Sequence, residues 1–180
     1  MRETQSLLAD MEIRPKKMLC GMEHVIATPD RKIHARSLML AEIPEGIAVH
    51  RDYDPSIPEF SADPEQLIQA VLNVVRNAAQ ALNNAGDITL RTRIERQHTI
   101  GQQRHRLTLR AEIEDNGPGI PEELREHIFY PMVTGRAEGT GLGLSIAQVI
   151  IHQHGGSIEC TSRPQQTIFR IYLPLENGHG

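Results

Sequence analysis

Two runs of alternating apolar and polar residues, DITLRTRIER and HRLTLRAEIED, follow one another with only the polar linker QHTIGQQR between them. Alternation puts one set of side chains on each face of a strand. A linker this short can return the chain only antiparallel, because a parallel neighbour needs a crossover of about a dozen residues or more. An antiparallel hairpin is therefore expected, and a simple succession of βαβ units is excluded.

The flanking segments complete the pattern. Asp63 is a candidate N-cap, Pro64 stands at the first helical position and Gln66 lies three residues after the cap, so a helix starts there and runs into the stretch from Leu82 to Gly86. On it Gln66, Ala70, Asn73, Asn77 and Gln80 share one face, while Leu67, Val71, Val74 and Ala78 form an apolar stripe. Ile47 and Val49 alternate as in a strand, PEELREHIF reads as a short helix, and a longer helix runs from Leu142 to about His154. GGSIECTS and TIFRIYLP read as a final pair of strands. The expected fold class is α+β: a two-layer sandwich with a mixed, mostly antiparallel sheet and helices on one face. Residues 1–44, with helix-like stretches at 6–12 and 31–42, read as a helical lead-in, the stump of a longer protein. Residues 45–175 form the expected domain and 176–180 a tail.

Composition narrows the function classes. Aromatic residues are 3% with no Trp, so the core must be aliphatic and a stacking platform for single-stranded nucleic acid is excluded. A net charge of −4 argues against a polyanion binder, so no nucleic acid partner is expected. No apolar run is long enough to span a membrane. Cys20 and Cys160 have neither zinc nor disulfide spacing, which fits a reduced, cytoplasmic compartment.

In GTGLGLSIAQ, glycines at Gly139, Gly141 and Gly143 run straight into a helix. Such a turn admits close backbone approach and offers unpaired helix N–H groups to an anion. It is not a dinucleotide fingerprint, since the spacing is G-x-G-x-G and the preceding VTGRAE is no strand. A P-loop would end in G-K-[ST], where this chain has G-L-S. The HRD triplet at His50–Asp52 precedes the glycines, carries Ile57 where a kinase loop needs Asn, and is followed by no D-F-G. Within DNGPGIP, Asp115 ends a strand and can accept the exocyclic amine of adenine, with Gly117 and Gly119 leaving room for the base. Guanine would bring a carbonyl oxygen there, so ATP should be preferred over GTP. Asn73 and Asn77 point the same way on the helix, and an amide oxygen can ligate a magnesium ion that keeps its waters and substrate phosphates.

LNVVRNAAQAL, DNGPGI and GTGLGLS, in that order, resemble the N, G1 and G2 boxes of the ATP-binding domain of two-component sensor histidine kinases, which belong to the Bergerat-type (GHKL) superfamily. The resemblance covers roughly 47–175, and RDYDPSIPEF, FYPMVTGR and GTGLGLSIAQVIIHQHGG are similar to the nitrogen-regulation branch of that family. FYPMVTGR stands where the F box lies, with Phe129 as its anchor. The resemblance implies that Asn77 ligates Mg²⁺, that Asn73 contacts the phosphates, and that Asp115 holds adenine in a pocket shaped by Gly117 and Gly119. Gly139, Thr140, Gly141, Leu142 and Gly143 would wrap the phosphates from a lid running from about Phe129 to Thr140, and Thr167 would support Asp115. The implied activity is transfer of the ATP γ-phosphoryl group to a histidine of the protein's own dimerisation and phosphoacceptor domain. The implied partners are a downstream response regulator and the PII signal protein.

Two departures stand out. Where many sensor kinases carry Lys or Arg three residues after the metal-binding Asn, this chain has Gln80, so Arg76 or Arg136 is expected to supply that charge. The acceptor is also missing: His24 has Thr28 and Pro29 at suitable offsets, but Val25 replaces the acid and too little chain separates it from Asn73. The expected protein is thus a catalytic half that binds ATP and does not label itself. The alternatives are an anti-sigma-factor-type serine kinase and a nucleotide-gated interaction module.

Overall fold

The computed structural model describes residues 16–18, 43–58, 60–133 and 140–175. In chain order, strands β1 (Lys16–Met18), β2 (Ile47–Tyr53) and β3 (Phe60–Ala62) precede the long helix α1 (Pro64–Leu82). Strands β4 (Gly86–Ile100) and β5 (Gln103–Asp115) follow, then the single turn α2 (Glu122–Arg125), α3 (Gly143–Gln153), β6 (Ser157–Arg163) and β7 (Gln166–Pro174). Five strands form one sheet in the order β2-β4-β5-β7-β6, with β2 parallel to β4 and every other neighbour antiparallel. Strands β1 and β3 pair antiparallel in a separate ladder. This is the α+β class read from the sequence, with a mixed, mostly antiparallel sheet.

Alternation sorts the sheet into two chemically opposite faces. Ile88 and Leu90 of β4, Leu109, Ala111 and Ile113 of β5, and Phe169, Ile171 and Leu173 of β7 are buried beneath the helices. Against them α1 sets Leu67, Val71, Val74 and Ala78, and α3 sets Ala147, Ile150 and Ile151. The cap of α1 is the expected one: Asp63 Oδ1 accepts the N–H groups of Glu65 and Gln66 at 3.0 and 3.2 Å, and Gln66 Nε2 donates to Asp63 Oδ2 at 2.9 Å. The helix stops where Asn83 turns left-handed at φ 48°.

Two details differ from the sequence reading. Ala70 is fully buried rather than part of the polar face, and Leu72, Val75 and Ala79 join it, because α3 packs along a second flank of α1. The hairpin linker is mostly strand: β4 and β5 continue to a tight turn at Gly101, whose φ is 59°. Ladder hydrogen bonds do not require apolar side chains, and His98 there stacks on Tyr172 with centroids 4.4 Å apart. The stretches 6–12 and 31–42 of the lead-in lie outside the described residues, as do His24, Thr28, Pro29 and Cys20.

The face away from the helices is ionic. Arg91 pairs with Glu114, Arg93 with Asp52 at 2.5 Å, Arg110 with Glu95 at 2.5 Å and Arg170 with Glu112 at 3.0 Å. Burial alone would raise the Glu114 carboxyl, but hydrogen bonds from Gln166 (2.6 Å) and Arg91, with the charges of Arg91 and Arg170, hold it below its ordinary value. A carboxylate with a depressed folded-state pKa stabilises the fold above its unfolded value and loses that contribution as pH falls through the folded one. Denaturant titrations are therefore expected to show stability declining as pH drops below about 4.5, with Glu114→Gln less stable at pH 7 and shallower in its acid slope.

Candidate functional site

Between α1, the loop after β5 and the start of α3 lies a cavity of about 480 Å³, within the range of small-ligand sites. Its walls include Asn73, Arg76, Asn77, Gln80, Asp115, Gly119, Thr140, Gly141, Gly143 and Thr167, with Ile120, Leu124, Ile128 and Leu144 as the apolar part. One end is built by the sheet, the other by two helices.

At the sheet end Asp115 is the last residue of β5, only 1% exposed, and lies opposite Thr167 of β7 and Ile88 of β4. Its Oδ1 accepts the Gly117 N–H at 3.0 Å. A Cβ on Gly117 would lie 2.8 Å from that oxygen, so glycine permits the bond. Gly117 itself is buried and does not line the cavity; its N–H holds the Asp115 carboxylate in place. Gly119 does face the cavity, at φ 89°, where a Cβ would meet the Arg163 carbonyl at 2.9 Å.

Partners on both sides tie this loop down, and the sequence signalled none of them. The Gln165 N–H donates to the Gly117 carbonyl at 2.9 Å, and the Ile120 N–H to Ser162 Oγ at 2.8 Å. Ser162 Oγ lies 2.9 Å from Thr167 Oγ1. Three bonds join Asn116 and Asp87: Asp87 N–H to Asn116 Oδ1 at 2.8 Å, Asn116 Nδ2 to Asp87 Oδ2 at 2.9 Å, and Asn116 N–H to the Asp87 carbonyl at 3.3 Å. The hydrogen bond from His50, at 2.8 Å, holds the Asp87 carboxyl below its usual range. Such partners come from strands distant in sequence, where only register reveals them. Cys160 sits nearby with its thiol pushed up to about 12 by burial and the Asp115 charge, so it stays protonated.

At the helical end Asn73 and Asn77 both line the cavity, one turn apart on α1. Asn73 Nδ2 is buried with no hydrogen-bond partner among the described residues, an arrangement that costs free energy until an acceptor arrives. Helix α3 begins beside it, with Gly143 placed so that a Cβ would lie 3.8 Å from that of Asn73. No side chain caps α3 at Leu142, so its first N–H groups remain for an anion. Leu142 lies outside the cavity wall and is 42% exposed, so what it offers the site is backbone.

Gly141, at φ 64°, lets this turn touch the preceding segment: a Cβ would fall 2.6 Å from the Met132 carbonyl carbon, and the Met132 N–H donates to the Gly141 carbonyl at 3.0 Å. Phe129 anchors that segment by its edge-to-face contact with Phe169, centroids 6.3 Å apart. Arg136 and Gly139 lie outside the described residues.

His154, at the end of α3, is a structural residue. His154 accepts the Asp63 N–H at Nε2 (3.2 Å) and lies 2.8 Å from the Ile150 carbonyl through Nδ1, so both ring nitrogens are engaged. Among the described residues no cluster of three His, Cys, Asp or Glu could hold a metal ion. The donor set that fits Mg²⁺ here is the Asn77 amide oxygen together with substrate phosphates and water.

Residues 62–177 match the profile of the histidine kinase-, DNA gyrase B- and HSP90-like ATPases. The chain belongs to that family. It is similar to the sensory histidine kinase/phosphatase NtrB of Salmonella typhimurium, 55% identical over 140 residues covering 77% of this chain and 40% of the relative. The NtrB of Proteus hauseri is 46% identical over 164 residues, 88% of this chain and 47% of the relative. The chain thus spans less than half the length of these relatives. Among solved structures, the catalytic domain of histidine kinase ThkA superposes with a TM-score of 0.62 at 29% identity, covering 79% of this chain and 86% of that one. The mycobacterial sensor histidine kinase MprB gives 0.60 at 26%, covering 77% and 93%.

Gly141 carries the sharpest steric test. Gly141→Ala forces a Cβ into Met132 backbone at a left-handed φ, so stability by denaturant titration is expected to drop by about 2 kcal/mol.

Proposed function

We propose that this chain is the ATP-binding catalytic domain of an NtrB-like sensor histidine kinase. One observation carries the reading: a single cavity has a buried acceptor, Asp115, at one end and an orphaned donor, Asn73 Nδ2, beside an uncapped helix N-terminus at the other. That polarity fits a nucleotide whose base offers an amine and whose tail is anionic.

In this reading Asp115 accepts the adenine amine, Ile120, Leu124 and Ile128 cover the base, and Thr167 supports Asp115. Asn73 and the N–H groups opening α3 receive the phosphates, with Thr140, Gly141, Gly143 and the lid residues Arg136 and Gly139 closing around them. Asn77 holds Mg²⁺, which when bound neutralises charge on the phosphates. The protein's contribution is positioning and electrostatics, with the transferred group kept at the open mouth for an incoming histidine.

That histidine belongs to a dimerisation and phosphoacceptor domain, of which residues 1–44 are read as the remnant. Leu142, Ile146 and Val149 are exposed at helical spacing along α3, next to exposed Tyr130 and Met132, an apolar surface suited to docking against such a helical domain. An NtrC-type response regulator receives the phosphoryl group downstream, PII regulates the kinase, and the protein works in the cytoplasm. No helix among the described residues is long and apolar enough to cross a membrane.

Calorimetric titration with a non-hydrolysable ATP analogue tests the core of this reading. Saturable, Mg²⁺-dependent binding is expected, weakened about tenfold or more in Asp115→Asn, because a charge-assisted hydrogen bond is lost. No binding by the native chain would refute it. Addition of Mg·ATP and a separately expressed NtrB phosphoacceptor domain should then label that domain and not this chain.

Arg76 lines the cavity on the same helix as the two asparagines, where it takes the place of the cation missing at Gln80. Arg76→Ala is expected to weaken ATP binding about three- to tenfold, with the deficit shrinking at high ionic strength. An unchanged affinity in Arg76→Ala, beside a large loss in Arg136→Ala, would move that role to the lid.

A further inference from the structure

Asn116 and Asp87 do not line the cavity, yet they join elements that do. Asn116 directly follows Asp115 at the end of β5, and Asp87 is the second residue of β4. The β4–β5 ladder reaches Ile88 opposite Asp115, and the Asn116 N–H carries it one step further to the Asp87 carbonyl, at 3.3 Å. The Asn116 side chain adds two bonds that no ladder supplies. Its Oδ1 accepts the Asp87 N–H at 2.8 Å, and its Nδ2 donates to Asp87 Oδ2 at 2.9 Å. His50 Nε2 lies 2.8 Å from the other carboxylate oxygen, which leaves Oδ2 to the amide.

The same turn bears on α1. From Leu82 the chain reaches β4 through Asn83 and Asn84, both left-handed at φ 48° and 70°. Gly86 closes this connection against Asn116: a Cβ there would lie 2.6 Å from Asn116 Oδ1 and 2.6 Å from Leu82 Cδ2. One residue on, a Cβ on Gly117 would stand 3.5 Å from Ala81 Cβ. Ala81 lies one turn past Asn77 on α1, and both line the cavity. The turn after Asp115 is thus wedged between the last turn of α1 and the first residues of β4.

The ladder holds Asp115 on the sheet, while Asn77 moves with α1. We infer that Asp87 and Asn116 are positioning residues that set the spacing between Asp115 and Asn77, so that one nucleotide engages both. A ligand held at one end gains from a second contact only when the spacing matches, because a misplaced group must strain or forgo the contact. This rests on the nucleotide reading above, with Asp115 at the base and Asn77 at the metal, and adds the pair that keeps those two in step.

The test measures the affinity of a non-hydrolysable ATP analogue with Mg²⁺ and with EDTA, for the native chain, Asn116→Ala, Asn116→Asp and the swap Asp87→Asn with Asn116→Asp. The ratio of the two affinities reports how well the metal end is met once the base is held. In Asn116→Ala and Asn116→Asp that ratio is expected to shrink about three- to tenfold, as hydrogen bonds are lost and, in the second, two carboxylates face each other. Affinity in EDTA should change by less than about twofold. The swap again places an amide donor against a carboxylate and should restore the ratio. Equal losses with and without Mg²⁺, an unchanged ratio, or a swap no better than Asn116→Asp would overturn the inference and leave the pair a local support of the turn. A native chain that binds the analogue without regard to Mg²⁺ would strike the Asn77 assignment, and one that does not bind it at all would strike the nucleotide reading; the inference falls with either.

Discussion

A carboxylate that is 1% exposed at the end of β5 is the constraint around which the cavity is organised. Burying an acceptor is costly unless donors surround it, and the chain answers with a turn whose first free N–H folds back onto Asp115. That turn works only without a side chain at Gly117, and its far side rests on the carbonyl of Arg163 only without one at Gly119. The β6–β7 connection is drawn in to hold the turn from behind, through Gln165 and Ser162. A single polar group at a strand end thus dictates glycine placement and the packing of a connection far away in sequence.

The helical end of the cavity follows a different logic. Its donors come from two helices rather than a sheet, and their separation is set by how closely α3 approaches α1. Gly143 permits the approach at the N-terminus of α3, and at the other end His154 accepts from the backbone of the residue that caps α1. The polar lining is therefore fixed by the same contacts that complete the core, where Ala147 and Ile151 meet α1.

How much of this was written in the chain varies with range. The cap at Asp63, the strands that end at Asp115, and the asparagine pair depend on neighbours within a turn or an alternation, and each was legible. Ala70 was misassigned because its burial comes from α3, a tertiary contact no periodicity on α1 encodes. The bond from the Gly117 N–H to Asp115 was not legible, since it depends on how the loop after β5 folds back. The Ser162, Gln165 and Asp87 contacts were invisible for the same reason: each pairs residues tens of positions apart, brought together only by strand register. Family resemblance supplied roles for the motif residues but carries no information about these supports.

The bond between the Met132 N–H and the Gly141 carbonyl has a thermodynamic corollary. It joins the two ends of the segment between them before any ligand is present, so the cost of bringing those ends together belongs to folding. For a connection of this length that cost grows as about (3/2)RT ln n. Ligand binding that needs those two ends side by side therefore finds them already joined. Cutting the tie without touching any ligand-facing group would transfer the closure entropy from the folding equilibrium to the binding one.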